Sequence, residues 1–226
     1  MGADPVILRK VSDRPAPPPL RERDQLIDKL RAHGIVDEKV LGVMARLPRH
    51  EFVDDALKTR AYRDDALPIG HAQTISQPFI VALMTQLLLK GQRLERVLEV
   101  GTGSGYQTAV LAALADTVFT VERIKPLSEQ ARKRLTALGN RNIHFGYADG
   151  ILGWPPYAPY DGIIVTAAID TVPAALLEQL GPGARLVIPV GPAGAQSLRV
   201  MEKRTVGYRT QDVAAVSFVP LLAGKA

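Results

Sequence analysis

Residues 96–109, R-V-L-E-V-G-T-G-S-G-Y-Q-T-A, constrain the fold more than any other part of the chain. A short apolar run that ends at a glycine-rich turn is typical of a buried strand, and the alanine- and leucine-rich residues after the turn are typical of a helix. Glycines at such a turn let the backbone approach a ligand, while the helix start offers unpaired N–H groups. The motif therefore predicts an α/β domain with a ligand at this turn.

Strands and helices alternate from this turn onward. Apolar runs predict seven strands, at residues 96–100, 117–122, 142–146, 162–166, 185–190, 197–202 and 214–219. Helical spacing predicts helices between the early strands, at residues 105–115, 126–138 and 172–180. This alternation predicts a mostly parallel sheet that is covered by helices on both faces. The last two strands have no helical pattern between them, so they should form an antiparallel hairpin at one edge.

The first sixty residues differ from the rest in composition. Residues 1–19 contain five prolines among charged residues, which is typical of a disordered leader. Residues 20–60 are predicted to be a helical N-terminal extension. Their apolar spacing favours three short helices, at residues 20–32, 37–47 and 49–57.

Residues 61–78 form a predicted loop between this extension and a Rossmann-like core at residues 79–226. The loop leads into a helix with a wide apolar stripe, for which Ser76 is the predicted N-cap and Pro78 suits the first turn. We expect residues 20–226 to fold as one domain, since a chain of 226 residues suits a single core.

Composition excludes several classes of function. The chain has no cysteine, so it has no disulfide, thiolate metal site or cysteine nucleophile. Its four histidines, at positions 33, 50, 71 and 144, do not have metal-ligand spacing, and no metal site is predicted. The sequence contains no transmembrane span and no apolar signal segment. We therefore expect a cytoplasmic protein that does not act on a membrane.

The net charge of +5 and the pI of about 9.6 would suit a nucleic-acid partner. The basic residues are scattered along the chain, however, as in Arg132, Lys133 and Arg134 on one predicted helix. This distribution favours a solvated surface over a nucleic-acid interface. An enzyme acting on RNA or another nucleic acid stays an alternative.

Three classes of ligand compete for the glycine turn. A nucleoside-triphosphate loop requires G-x-x-x-x-G-K-[ST], and a dinucleotide turn requires G-x-G-x-x-G. Gly101 and Gly103 fit the second pattern, but Tyr106 occupies the next glycine position in both. Glu99 would repel a pyrophosphate and would favour a ligand that carries an ammonium or a sulfonium group. S-adenosylmethionine has both cations and no phosphate, so the pattern favours it.

Two further acids follow the next two predicted strands. Glu122 ends a strand at the expected place for a carboxylate that accepts from both ribose hydroxyls. Asp149 could accept from the adenine amino group, or it could simply cap the turn before Gly150. Ligands of open α/β sheets bind at the carboxyl ends of the strands. One S-adenosylmethionine therefore explains these acids, Glu99 and the glycine turn together, although it leaves the methyl acceptor open.

The segment W-P-P-Y at residues 154–157 resembles the N-P-P-Y motif of enzymes that methylate exocyclic amines. That motif follows the fourth strand, where it faces the methyl group. Here W-P-P-Y precedes the predicted strand at 162–166, and its first residue is Trp154. We therefore predict no base-flipping site.

Seven segments together carry a family resemblance. They are L-P-R-H-E-F-V (47–53), A-Y-R-D-D-A-L-P-I-G-H-A-Q-T-I-S-Q-P (61–78), V-L-E-V-G-T-G-S-G-Y-Q-T-A (97–109), V-E-R-I (121–124), P-Y-D-G-I-I-V-T-A-A (159–168), R-L-V-I-P-V-G (185–191) and V-S-F-V-P-L (216–221). In these segments the chain closely resembles the protein-L-isoaspartate O-methyltransferases, and the resemblance covers residues 20–222. The T-I-S-Q-P segment at residues 74–78 is the family-specific part.

The resemblance implies a Rossmann-like S-adenosylmethionine-dependent methyltransferase fold with a seven-stranded sheet. It implies methyl transfer to the free α-carboxylate of L-isoaspartyl residues, and by extension D-aspartyl residues, in damaged proteins and peptides. S-adenosyl-L-homocysteine would be the product. The methyl ester would then close spontaneously to a succinimide, which hydrolyses in part to normal aspartate.

The resemblance also implies roles for individual residues. Ser76 matches the active-site serine, in a substrate loop that comprises His71, Gln73, Thr74, Ile75 and Ser76. The matching cofactor-binding residues are Glu99, Gly101, Thr102, Gly103, Gly105, Glu122, Asp149 and Gly150. The family commonly has G-D-G where this chain has Ala148-Asp149-Gly150, which leaves the acceptor Asp149 in place.

The implied chemistry agrees with the residues present. An α-carboxyl group has a pKa of roughly 3.3–3.7, so the acceptor is already ionised at pH 7 and needs no general base. The partners are isoaspartyl-containing proteins and peptides, and we expect a monomer rather than an obligate oligomer.

Two further functions would also suit a glycine turn of this kind. They are a nicotinamide oxidoreductase and a non-catalytic nucleoside-binding module. The missing third glycine and Glu99 argue against the oxidoreductase. A binding module would bind S-adenosylmethionine without turnover.

Overall fold

The structure, a computed structural model, describes residues 21–92 and 94–226. The predicted leader at residues 1–19 lies outside them. The described helices are α1 (Arg21–Ala32), α2 (Glu38–Arg46), α3 (Pro78–Leu89), α4 (Tyr106–Ala112), α5 (Lys125–Ala137) and α6 (Ala174–Glu178). The strands are β1 (Leu67–Pro68), β2 (Thr74–Ile75), β3 (Leu94–Val100), β4 (Ala115–Glu122), β5 (Ile143–Tyr147), β6 (Tyr160–Val165), β7 (Leu180–Val190), β8 (Gln196–Lys203) and β9 (Tyr208–Val216).

Seven strands form the main sheet, in the order β5-β4-β3-β6-β7-β8-β9. Strands β3 to β7 pair in parallel, while β8 is antiparallel to both β7 and β9. This sheet confirms the predicted mostly parallel architecture with an antiparallel hairpin at one edge. The central strand β3 is buried on both faces, as Val97, Leu98 and Val100 are at most 1% exposed. Such two-sided burial explains its nearly continuous apolar sequence.

Three predicted boundaries are wrong for identifiable reasons. The last strand begins at Tyr208 and not at residue 214, because its first five residues are exposed and carry no apolar signal. The helix predicted at residues 172–180 is only Ala174–Glu178, because β7 already begins at Leu180. The helix predicted at 49–57 is two 3-10 turns, Arg49–Phe52 and Asp55–Arg60, separated at Val53, whose backbone is extended.

Ser76 is not the N-cap of α3, contrary to the sequence prediction. Pro78 is the first helical residue, which makes Gln77 the N-cap, and the Gln77 side chain forms no capping hydrogen bond. The carboxylate of Asp64 instead accepts from the Phe79 N–H at 2.8 Å. The loop before α3 therefore provides a hydrogen-bond acceptor for a free N–H group at the start of the helix, and the Ser76 hydroxyl is not used for capping.

The N-terminal extension and the sheet share one apolar core. A single cluster of buried side chains contains Leu30 of α1 and Leu41 of α2 together with Val187 and Leu198 of the sheet. The other sheet face packs a second cluster, in which Trp154 contacts buried strand residues. We therefore expect the described residues to unfold as one unit.

The substitution Leu30→Ala tests this expectation. Leu30 is fully buried, so its truncation should lower the free energy of unfolding by about 2–5 kcal/mol. Denaturant unfolding should be followed by far-UV circular dichroism and by fluorescence of Trp154, the single tryptophan, on the opposite sheet face. Both midpoints should shift together, whereas Val36→Ala, at a side chain 75% exposed, should move neither. A Trp154 midpoint unchanged by Leu30→Ala would show that the extension folds separately.

Candidate functional site

A cleft lies at the carboxyl ends of β3, β4 and β6. Strand pairing fixes its position: Val100 of β3 lies opposite Val121 of β4 and Val165 of β6, so the residues after these strands emerge at one level. Nine predicted site residues line the cleft: Gln73, Thr74, Ile75, Ser76, Gly101, Thr102, Gly103, Glu122 and Gly150. The other four, His71, Glu99, Gly105 and Asp149, lie outside this lining.

Two glycines shape the turn between β3 and α4. Gly101 has a φ of +96°, and a Cβ there would lie 2.3 Å from the hydroxyl oxygen of Thr166, which donates to the Gly101 carbonyl at 2.7 Å. Gly105 has a φ of +89°, and a Cβ there would lie 3.0 Å from Leu135 of α5. The first glycine therefore shapes the cleft floor, whereas the second lets α4 pack against α5.

Glu122 fastens the glycine turn to the end of β4. Its Oε2 accepts from the Gly103 N–H at 2.9 Å, and its Oε1 accepts from the Ile124 N–H at 3.0 Å. The residue is 6% exposed and borders the cleft. Each carboxylate oxygen has two acceptor sites, so the group keeps capacity for a hydroxyl-bearing ligand.

Glu99 is buried beneath the turn. Its Oε2 accepts from the hydroxyls of Thr108 at 2.5 Å and Thr120 at 2.6 Å. Its Oε1 is buried and has no hydrogen-bond partner among the described residues. Burial raises the pKa of Glu99 to about 8, against the lowering effect of the two threonine hydroxyls and with a further raising effect of Glu122.

A line of hydroxyls connects Glu99 to the turn. Thr120 has one proton and donates it to Glu99, so Thr102 donates to the Thr120 oxygen, 2.6 Å away. Thr102 lines the cleft. Two threonine hydroxyls therefore link the buried Glu99 to a residue that lines the cleft.

The substrate loop enters the cleft through a small hairpin. Strands β1 and β2 pair Leu67 with Ile75, and residues 73–76 form one wall of the cleft. His71 lies at the exposed hairpin tip with a φ of +51°. The structure thus brings four of the five loop residues to the cleft, and His71 lies away from it.

Asp149 fixes the chain on the far side of the cleft. Its Oδ1 accepts from the Ile151 N–H at 2.9 Å, which is the capping role that the sequence left open. Its Oδ2 accepts from the Gly224 N–H at 2.7 Å. Residues 219–222 line the cleft nearby, and Leu221 is joined to Ala168 by a backbone hydrogen bond of 2.7 Å.

Sequence reasoning missed several residues of the cleft. Gln107 lines it from the first turn of α4 and donates to the Thr85 hydroxyl at 2.9 Å, a position that its place just after the glycine turn could have indicated. Val219, Pro220, Leu221 and Leu222 carried no signal of a ligand site, because they are apolar and distant in sequence. No cluster of potential metal ligands occurs among the described residues.

The W-P-P-Y segment lies elsewhere. Residues Pro155–Tyr157 form a 3-10 turn before β6, and Trp154 packs edge-on against Phe119 with ring centroids 6.0 Å apart. The segment belongs to an aromatic cluster and is not part of the cleft lining. In the part of the chain that the structure describes, no helix is long and apolar enough to cross a membrane.

Comparisons with known proteins agree with this geometry. Residues 21–226 match the family described as Protein-L-isoaspartate(D-aspartate) O-methyltransferase (PCMT). A Protein-L-isoaspartate O-methyltransferase of Halorhodospira halophila is 58% identical over 205 residues, which cover 91% of this chain and 93% of that protein. A relative of the same name from Pseudomonas syringae pv. tomato is 54% identical and covers 90% of this chain and 97% of that protein.

Solved structures give the same result. A protein-L-isoaspartate O-methyltransferase aligns with a TM-score of 0.79 and 28% identity, covering 88% of this chain and 65% of that chain. A Plasmodium falciparum structure, described with the same activity and with bound S-adenosyl-L-homocysteine, aligns with a TM-score of 0.77 over 88% of this chain and 98% of that chain. At 24% identity, the latter supports the fold alone.

These matches confirm the predicted fold, the methyl donor and the reaction, and they exclude the nicotinamide oxidoreductase. The residue assignments stay predictions. The match over residues 21–226 and the high identity to full-length relatives show that the chain belongs to the protein-L-isoaspartate(D-aspartate) O-methyltransferase family, S-adenosylmethionine-dependent enzymes that methylate isoaspartyl residues and so initiate their repair.

Proposed function

We propose that Ser76 orients the acceptor carboxylate in this reaction, while Glu99, Glu122 and the glycine turn hold the methyl donor. One observation supports the proposal above others: Ser76, Gly103 and Glu122 border a single cleft, although they are far apart in sequence. An acceptor held by the loop would therefore meet a donor held by the turn.

The cleft residues fit S-adenosylmethionine, which supplies a methyl group on a positively charged sulfur. Glu122 has acceptor capacity for a ribose diol, and Gly101 and Gly103 let a ligand approach the backbone. The buried Glu99 Oε1 lacks a partner among the described residues, and a nearby cation would compensate it. Thr102 and Gly105 support the turn, and Asp149 and Gly150 are proposed to border the adenine.

The acceptor requires little chemistry from the protein. An isoaspartyl α-carboxylate is ionised at neutral pH, so no side chain has to remove a proton. The Ser76 hydroxyl would donate a hydrogen bond to one carboxylate oxygen and leave the other free to attack. Holding the two reactants at contact distance contributes on the order of 7–11 kcal/mol to such displacements. Gln73, Thr74, Ile75 and His71 would shape the approach of the peptide.

We also propose that the protein is cytoplasmic and monomeric and has no nucleic-acid partner. The absence of cysteine supports a reducing compartment, and the scattered basic residues support a solvated surface. Residues 20–226 are proposed to be a single methyltransferase domain, supported by the core that α1, α2 and the sheet share.

A pair of peptides tests the proposed acceptor. The purified protein and labelled S-adenosylmethionine should be incubated with one peptide in its isoaspartyl form and in its aspartyl form. We expect label only in the isoaspartyl peptide, as a base-labile ester, because only that form presents a free α-carboxylate at the aspartyl position. Equal labelling of both forms, or labelling of RNA with a steep salt dependence, would contradict the assignment.

Ser76→Ala separates orientation of the acceptor from binding of the donor. Loss of a hydrogen bond to a charged group costs about 1.5–3 kcal/mol, so kcat/KM for the isoaspartyl peptide should fall about 10- to 100-fold. Calorimetric affinity for S-adenosyl-L-homocysteine should change by less than about threefold, because the turn and Glu122 are intact. If affinity and activity fall together, the serine has a structural role.

Glu99→Gln tests the buried acid through the pH dependence of stability. The pKa of Glu99 is raised from 4.5 to about 8, so between these values the folded protein binds a proton that the unfolded chain has lost. The contribution of Glu99 to stability must therefore fall as pH rises from about 4.5 to about 8.

Glu99→Gln removes this ionisation. As pH rises from 5 to 8, the free energy of unfolding of the variant should therefore increase relative to that of the original protein, by on the order of 1–3 kcal/mol. Denaturant unfolding at both pH values, without ligand, measures the difference. If the free energies of unfolding of the two proteins differ by the same amount at both pH values, Glu99 is ionised over this whole pH range. The proposed compensation of Glu99 by a bound cation would then lose its basis.

A further inference from the structure

We infer that Arg49 is a positioning residue for the methyl transfer: its guanidinium holds both ends of the loop at residues 61–76 and thereby sets the place of Ser76 relative to the glycine turn. This inference rests on the proposed role of Ser76. It assigns a function to the L-P-R-H-E-F-V segment at residues 47–53. Arg49 of this segment does not line the cleft, and it is not one of the predicted site residues.

Arg49 is fully buried and bonds to two distant carbonyls. Its Nε donates to the Ala61 carbonyl at 2.9 Å, and its Nη2 donates to the Ser76 carbonyl at 2.7 Å. These two carbonyls lie at the start and near the end of the loop at residues 61–78. One rigid group therefore fixes the separation of the loop ends, and Ser76 is itself one of the fixed points.

The same guanidinium packs against the start of the helix that follows the glycine turn. Its carbon lies 4.7 Å from the ring centroid of Tyr106, the residue that begins α4 directly after Gly105. Phe52 packs edge-on against the same ring at 5.3 Å. Arg49 thus lies between the loop that carries Ser76 and the helix that follows the glycine turn, and it relates their positions to each other.

The choice of arginine supports this role. No salt bridge joins Arg49 to a carboxylate among the described residues. Burial lowers the pKa of Arg49 against the raising effects of Tyr106 and the carboxylate of Asp64, although a guanidinium stays protonated in proteins. Burying an unpaired cation is costly for stability. A planar group with donors in several fixed directions holds two carbonyls in one geometry, which a lysine ammonium does not reproduce. The positive charge beneath the loop also favours an anionic acceptor above it.

The test uses Arg49→Lys and Arg49→Met in the full chain, with kcat and KM measured on an isoaspartyl peptide. A displacement of about 1 Å can cost on the order of 100-fold in rate, so kcat should fall about 10- to 100-fold in both variants. Affinity for S-adenosyl-L-homocysteine should change less than about threefold. If Arg49→Met does not fold, Arg49→Lys carries the test, since it keeps the charge and most of the volume.

A double-mutant cycle with Ser76→Ala separates positioning from general support of the fold. If Arg49 acts by placing the Ser76 hydroxyl, Arg49→Lys should lower kcat by less than about threefold when that hydroxyl is already absent. An equal loss of kcat in both backgrounds would overturn the inference while the role of Ser76 stands. A fully active Ser76→Ala would instead remove the proposed role of Ser76, and the inference with it.

Arg185→Lys is the matched control. Arg185 is also buried, donates to the Leu87 carbonyl at 3.0 Å and pairs with Glu202 at 2.8 Å, outside the cleft lining. Arg185→Lys should lower the unfolding temperature as Arg49→Lys does. It should leave kcat within about twofold of the value of the original protein when both variants are assayed well below their unfolding temperatures. If Arg185→Lys lowers kcat as much as Arg49→Lys at equal stability, the effect is a general one and the positioning role is wrong.

Discussion

The parallel pairing of β3 with β4 and β6 is the constraint on which the site depends. It aligns Val100, Val121 and Val165, so that Gly101, Glu122 and Thr166 leave the sheet side by side. Hydrogen bonds then join these three strand ends: Glu122 binds the Gly103 N–H, and Thr166 binds the Gly101 carbonyl. The cleft floor is therefore a property of sheet register before any loop is considered.

The two sides of the cleft have opposite electrostatic character. On the side of the glycine turn, Glu99 and Glu122 lie close enough that Glu122 helps to raise the pKa of Glu99, and the proposed cationic donor would relieve this repulsion. On the side of the loop at residues 61–78, the buried guanidinium of Arg49 lies behind the Ser76 carbonyl. A cationic donor and an anionic acceptor would thus each meet the complementary charge, and their mutual neutralisation would be favoured in a site that excludes water.

Sequence reasoning succeeded where one local rule controls the structure. Alternating apolar strands and helices predicted the sheet, and the glycine turn with Glu122 predicted one side of the cleft, because neighbouring strand ends in a parallel sheet must meet. It failed at the exposed start of β9, which has no apolar pattern, and at Ser76, where Asp64 from a distant loop caps α3. Arg49 and Leu221 could not be placed from local patterns either, since their contacts join segments remote in sequence.

The last residues of the chain are part of the cleft wall, which affects how the protein should be handled. Gly224 is bonded to Asp149, and the Lys125 N–H donates to the Ala226 carbonyl at 2.9 Å, so residues 219–222 are held from behind. An affinity tag fused after residue 226 would have to leave the surface next to these bonds. A substitution or fusion that breaks the bonds of residues 224–226 would therefore loosen this wall without touching the cleft itself.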